Sequence, residues 1–313
     1  MALIIEIAED LAAFEALEAD WRELFSLSAT DNFFVSYDWC KIWWDTFGGP
    51  AGSQPVLVTV RSEGRLVALL PLSVWRTGPR SSAEAMGGET GQYCDMLIAP
   101  EMASDQDLFN ALWDGIVAAG IDRMQFNNVP DDSALARFLE PRRTIQSEPA
   151  ISCCLDTADH ENFDAYMKTR SASLLKNMRR RLRKLETLGT VTFETVTDPG
   201  RLDEISRTIV GHKRQWLADR GLHGRFLSQP MVAAWMSDVM RAALKTRQLH
   251  LSLLRIDDRI ISAQLGFICG GRMTGYFTSY DLEYGPCSVG TMQVQGFIEK
   301  LFDRGLKIDL MPS

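Results

Sequence analysis

The sequence predicts an α/β protein built from two domains with mixed sheets, and three observations carry that expectation. The chain has 313 residues, which at about 150 residues per domain leaves room for two. Each half runs through much the same order of elements, strand, helices, hairpin strands, strand, helix, strand, although the sequences do not repeat. Within the second half, Phe267 to Asp309 reads as one complete unit. An alternating strand ends in Thr278-Ser279-Tyr280-Asp281, the small-residue loop Gly285–Thr291 follows, then a helix over Thr291–Asp303 and a strand over Leu306–Leu310. The expected domains are 1–150 and 151–313.

In chain order, Leu3–Ile7 is a first strand. Asp10 caps a helix bearing Leu11, Phe14, Leu17, Trp21 and Leu24 at helical spacing. A second helix is expected near Trp39–Phe47, in a stretch whose dense aromatics form either a packed core or a groove wall. Pro55–Val60 and Leu66–Trp75 read as strands joined by a turn at Glu63-Gly64. The polar, glycine- and serine-rich stretch Thr77–Gln92 reads as a loop beside a substrate. Tyr93–Ile98 is a strand, Leu108–Ala118 a helix, Arg123–Asn127 a short strand, Asp132–Leu139 a short helix, and Thr144–Leu155 a strand near the midpoint.

The second half opens on one long helix, Glu161–Leu188, with Leu175, Met178, Leu182 and Leu185 forming an apolar seam that Gly189 ends. A strand over Val191–Val196 and helices over Leu202–Leu217 and Val232–Leu244 follow. Leu249–Ile256, Ile260–Cys269 and Met273–Tyr280, turning at Asp257-Asp258 and Gly270-Gly271, form an antiparallel meander. The last strand is expected beside it.

Composition narrows the function classes. Net charge is -8, which disfavours a general nucleic-acid binder and makes nucleic acid an unlikely partner, although a local basic patch is still allowed. Six cysteines and four histidines show no metal-ligand spacing, so no metal site is expected, and free thiols fit a reducing cytoplasm. The N-terminus lacks a basic n-region, and no apolar run reaches about 18 residues, so neither a signal peptide nor membrane insertion is expected. Neither G-x-G-x-x-G nor a P-loop is present.

One charge anomaly stands out. From Ala165 to Leu185 there are eight basic side chains and no acid. Arg180 and Arg183 share a stripe opposite the apolar seam and suit phosphate contact through paired donors; the alternative is a solvated face paired with acids. A small-residue loop opening a helix offers free amides to an anion such as a pyrophosphate, although the same pattern starts ordinary helices. Tyr276, Tyr280 and Asp281 cluster at the end of the meander. There Asp281 could take a proton from an amine and Tyr280 could donate to a leaving thiolate; a capped turn is the other reading. Lys213-Arg214-Gln215-Trp216 puts a cation and an aromatic at one pocket edge or in the core. His250 reads as a structural histidine.

Several motifs, taken in order, carry a family resemblance. They are "SASLLKNMRRRLRKLETLGTVTFE", "HKRQW" followed by "GRF", "LHLSLLRIDDRIISAQLGFICGGRMTGYFTSYDLEY" and "CSVGTMQVQGFIEKLFDRGLKIDL". The second half resembles the GNAT-like acetyltransferase domain of bacterial CelD-like (cellulose biosynthesis) proteins, a group similar to the FemAB-type double acyltransferases. The first half is similar in "FFVSYDWCKIWWDTF" and "LVALLPLSVWR".

The resemblance implies two GNAT-like domains packed together, the second one active. It would use acyl-CoA or acetyl-CoA as co-substrate to acylate an amine or hydroxyl of a small molecule, amino sugar or polysaccharide precursor. The CoA pyrophosphate would rest near Val289, Gly290, Thr291 and Met292, and the thioester along splayed strands near Phe277 and Thr278. Two rivals share the fold: an aminoacyl-tRNA-dependent FemAB-like transferase, and a non-catalytic binding protein for polysaccharide assembly. Cys287-Ser288-Val289 replaces the more glycine-rich phosphate loop of such acetyltransferases. Relatives continue past the strand that ends near Ser313. The sheet edge is therefore expected to be bare, and a homodimer or reduced stability is expected from it.

Overall fold

The computed structural model describes residues 2–28, 30–142, 150–302 and 304–312. It divides into two compact units, Met1–Ala150 and Ile151–Ser313.

The first unit runs β1 (Leu3–Ala8), α1 (Leu11–Ala16), α2 (Glu18–Leu27), α3 (Tyr37–Trp43), β2 (Gln54–Ser62), β3 (Arg65–Thr77), β4 (Arg80–Ala85), β5 (Leu97–Ile98), α4 (Gln106–Ala118), β6 (Arg123–Gln125) and α5 (Ala134–Leu139). Its sheet has the order β1-β2-β3-β4-β6, with β5 on β3, and β4 runs parallel to β6. Asp10 caps α1 as expected, accepting from the Ala13 amide. The expected single helix breaks at Leu17, whose N–H bonds Phe14 in a tightened turn. Glu63 (φ 52°) and Gly64 (φ 80°) make the two-residue hairpin between β2 and β3. The aromatics near Trp39 are core: Trp21, Trp39 and Phe33 are buried, and Phe34 meets Trp39 edge to face at 4.8 Å.

Two expectations are corrected here. The loop expected over Thr77–Gln92 contains β4, which pairs with β3 through a hairpin turning at Gly78 (φ 59°). Its buried residues are Ser81, Ala83 and Ala85, too small to show as an apolar alternation. The strand expected over Tyr93–Ile98 is reduced to β5.

The second unit runs β7 (Ser152–Asp156), α6 (Phe163–Lys168), α7 (Ala172–Glu186), β8 (Val191–Thr195), α8 (Leu202–Asp219), α9 (Val232–Lys245), β9 (Leu249–Ile256), β10 (Arg259–Cys269), β11 (Arg272–Tyr280), α10 (Val289–Phe302) and β12 (Lys307–Pro312). The sheet order is β7-β12-β11-β10-β9-β8. The long helix expected over Glu161–Leu188 is two helices, because Ser171 accepts the Leu174 amide and starts α7 afresh. The strand expected over Thr144–Leu155 lies partly outside the described residues; what is described is β7. β9, β10 and β11 form the expected meander, and β12 joins β11 in parallel.

Strand for strand, β8-β9-β10-β11-β12 repeats the order β1-β2-β3-β4-β6. In both units the last two of these strands are the parallel pair. The two halves are therefore copies of one plan at the level of topology. The sheet edge expected to be bare is not: β7 pairs antiparallel with β12, Leu155 facing Ile308 and Asp156 facing Lys307. That removes the reason given for a dimer. No helix among the described residues is long and apolar enough to cross a membrane.

Candidate functional site

In the second unit the sheet opens beside β11. β12 pairs with β11 only from Arg272 to Thr274, opposite Lys307 to Asp309. Within β11 the register against β10 steps from Leu265↔Phe277 to Gly266↔Gly275, so Tyr276 is an extra, bulged residue. A bulge bends a strand and strengthens its twist. The stretch of β11 beyond it therefore turns away from β12 and loses its parallel partner. Gly266 makes the bulge possible, since a Cβ there would lie 2.7 Å from the Thr274 carbonyl oxygen.

The far end of β11 carries the densest set of functional groups. Asp281 Oδ1 accepts the Glu283 amide at 3.0 Å, and Oδ2 holds Arg259 Nη2 at 2.5 Å. Arg259 also reaches Glu283 at 2.8 Å. His212 on α8 brings Nε2 to 3.9 Å from the same Oδ2, while its Nδ1 is buried with no partner among the described residues. Burial lowers the His212 pKa below the usual histidine value; the Asp281 charge opposes this and Arg259 adds to it. The imidazole is therefore neutral near pH 7.

These groups line a cleft of about 520 Å³ together with Glu204, Thr208 and Gln215. Glu204, Thr208, His212 and Gln215 follow one another at helical spacing, so α8 turns a polar stripe to the cleft. Its other face, with Leu202, Ile205 and Ile209, is core.

Beside the cleft, Trp216 Nε1 donates to the Tyr280 hydroxyl at 3.0 Å. That oxygen accepts, which leaves its own hydrogen free to donate elsewhere. Lys213 Nζ on α8 lies 4.8 Å and Cζ of Arg220, the residue after α8, lies 4.1 Å from the Trp216 ring. Arg214 is structural: it donates to the Leu227 and Gln229 carbonyls at 2.7 and 2.8 Å and fixes the α8–α9 connection.

Of the sequence-predicted residues, Asp281 and Tyr280 stand together at this end. Asp281 does so as both an ion-pair partner and the cap of the next turn, with both oxygens engaged. Tyr276 is corrected. It lies in the core at 6% exposure against Trp235 and Phe267, and burial raises its pKa. It does not reach the cleft. Phe277 is buried, and the Thr278 hydroxyl bonds the Gln264 side chain.

The helix expected from Thr291 begins at Val289, after Ser288 in the left-handed region (φ 54°). Val289 and Met292 are buried with Leu185 of α7, so their side chains belong to the core rather than to a ligand. Gly290 is half-buried under the Tyr280 ring, and Thr291 is exposed. Arg180 and Arg183 are exposed on α7. They and Lys176, Arg179, Arg181 and Lys184 form no ion pair with a carboxylate among the described residues. His250 is structural as expected: it is buried edge to face on Phe297 at 4.8 Å, and burial, with Arg304 adding, lowers its pKa to about 4.

Sequence reasoning missed His212 and Arg259. The polar stripe of α8 was a signal for the first. The second gives none, since its partner Asp281 is 22 positions away.

Residues 172–313 match the family described as acetyltransferase (GNAT) domain. No curated protein matches the chain. Among solved structures, FemX aligns over 98% of this chain and 89% of its own, at TM-score 0.62 and 10% identity. The C-terminal domain of a putative lysylphosphatidylglycerol synthetase from Agrobacterium fabrum aligns over 95% and 79%, at TM-score 0.56 and 14% identity. A conserved protein of unknown function from Bacteroides thetaiotaomicron aligns over 99% and 90%, at TM-score 0.56 and 10% identity. The chain thus has the GNAT-type, FemAB-like double-domain acyltransferase fold, with the acetyltransferase-domain match confined to its second half.

Proposed function

We propose that the second unit transfers an acyl group from a phosphate-bearing carrier to an amine, and that the carrier is the aminoacylated end of a tRNA. The observation that carries this reading is α7. Six cations on it lack a carboxylate partner among the described residues, in a chain of net charge -8. An extended basic face suits successive phosphodiesters better than one pyrophosphate. The acidic whole does not oppose this, because screening confines each field to about 8 Å at physiological salt. The likeness in fold to FemX over nearly the whole chain is consistent with the FemAB-like alternative.

In this reading the acyl carbonyl lies along β11 beyond Thr274, past the stretch that pairs with β12, where backbone donors would orient it. Tyr280 donates a proton to the leaving oxygen. Catalysis is largely positioning.

A second reading keeps acyl-CoA or acetyl-CoA as donor. It is favoured by the helix start at Val289 with the accessible Gly290 and Thr291, and by the acetyltransferase-domain match over this unit. The acceptor would be a small molecule, amino sugar or polysaccharide precursor.

Filter binding with charged tRNA and calorimetry with acetyl-CoA and longer acyl-CoAs separate the donors, and mass spectrometry of products from amine acceptors reads the transfer. With tRNA, replacing Arg180 and Arg183 by Ala should reduce the slope of log affinity against log salt by about 1.5, two contacts at roughly 0.7 to 0.9 each. An unchanged slope with unchanged affinity removes α7 from the donor site.

A further inference from the structure

We propose that the cleft between α8 and the end of β11 binds the ammonium group of the acceptor, and that His212 Nε2 takes its proton. The chemical step rests on the acyl-transfer reading; the binding rests on the cleft alone.

Three features point to a cationic nitrogen. The cleft carries four carboxylates, Glu204, Asp258, Asp281 and Glu283, against the single guanidinium of Arg259. Arg259 already holds two of them and Arg255 reaches Asp258 at 3.7 Å, which leaves Glu204 to balance an incoming charge. Nε2 of His212 and Oδ2 of Asp281 stand 3.9 Å apart, too far for a hydrogen bond to each other. When the neutral ring carries its hydrogen on Nδ1, these two atoms are both acceptors, close enough for one donor group to reach both. A group with several N–H donors satisfies both, and a primary ammonium has three. A hydroxyl has one and can serve only one of them.

The proton goes to His212 rather than to Asp281 because of what each is already doing. Both Asp281 oxygens are engaged, one by the Glu283 amide and one by Arg259. Nε2 has no hydrogen-bond partner among the described residues. A proton arriving there creates an imidazolium beside the Asp281 carboxylate, which stabilises it. Asp281 accepts from the ammonium and does not take its proton. The groups facing the imidazole are Glu204 on its own helix, Asp258 and Arg259 from the β9–β10 turn and the start of β10, and Asp281 and Glu283 from the turn after β11. The acids favour the charged ring, while Arg259 and burial favour the neutral one.

R–NH₃⁺ gives one proton to Nε2. The freed lone pair forms the N–C bond to the donor's carbonyl carbon. The carbonyl's C–O bond (C–S for a thioester) breaks with its electron pair on the leaving atom. Tyr280 gives its hydroxyl proton to the leaving atom, and the second proton from the nitrogen restores the phenol.

The test uses the full chain with isotope-labelled histidine, the His212 signals being assigned from the spectrum of His212→Gln. Methylammonium chloride should shift the His212 ring resonances saturably. Tetramethylammonium, with the same charge and no N–H, should not, and Asp281→Asn should abolish the response. Equal response to both cations, or none at His212, overturns the site. This readout needs no donor, so it stands even where no transfer is detected and the acyltransfer reading fails. Where transfer is detected, His212→Gln should lower kcat by about 10²-fold or more at neutral pH, leave donor affinity unchanged, and remove the limb of the pH–rate profile that rises below pH about 6.5. A wild-type kcat in that variant overturns the proton-acceptor role.

Discussion

Replacing Gly266 by Ala should destabilise the second unit by about 2–3 kcal/mol, the upper range for overpacking a tight site. The added carbon would meet the Thr274 carbonyl oxygen at 2.7 Å and Met273 Sδ at 2.6 Å. The sulfur can swing aside, but the carbonyl belongs to β11 and moves only with the strand. The register step at Leu265/Gly266 is also where β11 takes up its extra residue, Tyr276. The same methyl should therefore displace the end of β11 and the groups that follow it. Because two units rarely unfold as one transition, the measurement is residue-resolved hydrogen exchange. Amides of β10 and β11 should exchange at least tenfold faster, while those of β2 and β3 keep their protection. Unchanged exchange in β10 and β11 would show that the bulge tolerates a side chain.

Replacing Tyr280 by Phe should lower the rate of acyl transfer by about 10²-fold or more, the range for a general acid. The hydroxyl accepts from Trp216 Nε1 at 3.0 Å, so the variant also leaves the indole N–H without its partner, at a cost of about 1–3 kcal/mol if it stays dry. Trp216→Phe separates the two effects. It breaks the same hydrogen bond but leaves the phenol in place. If Tyr280 protonates the leaving group, Tyr280→Phe should fall far below Trp216→Phe in kcat at similar KM. Equal losses in both variants would reduce Tyr280 to a structural role.

The parts of the fold set by local pattern were legible in the sequence. The meander of β9, β10 and β11 announced itself through alternation and through two turns, one with Asp257 at φ 49° and one with Gly270 and Gly271 at φ 53° and 83°. The α10–β12 return and the shared plan of the halves followed from element order. What failed was set by something other than periodicity. β4 hid because its inward residues are Ser and Ala. The helix break at Thr169–Ser171 hid because one side-chain cap decides it, inside a seam that otherwise continues. At the candidate site, Asp281 and Tyr280 stand together because they are adjacent in sequence. Tyr276 was misplaced because a bulge changes which way successive side chains point. Arg259 and His212 reach Asp281 only through the pairing of β10 with β11 and the lie of α8 across the sheet, which no local window contains.

β7 has a practical bearing on anyone who dissects this chain. The acetyltransferase-domain match begins at residue 172, yet the strand that closes the sheet beside β12 is supplied by Ser152–Asp156. The side chain of Ser152 bonds the buried Asp309 carboxylate, and the Thr157 amide and hydroxyl both bond the Leu306 carbonyl. A fragment cut where the family likeness starts would strip those partners away and present a raw β12 border to its neighbours, an invitation to stick. The natural place for the scissors is upstream, at Ile151.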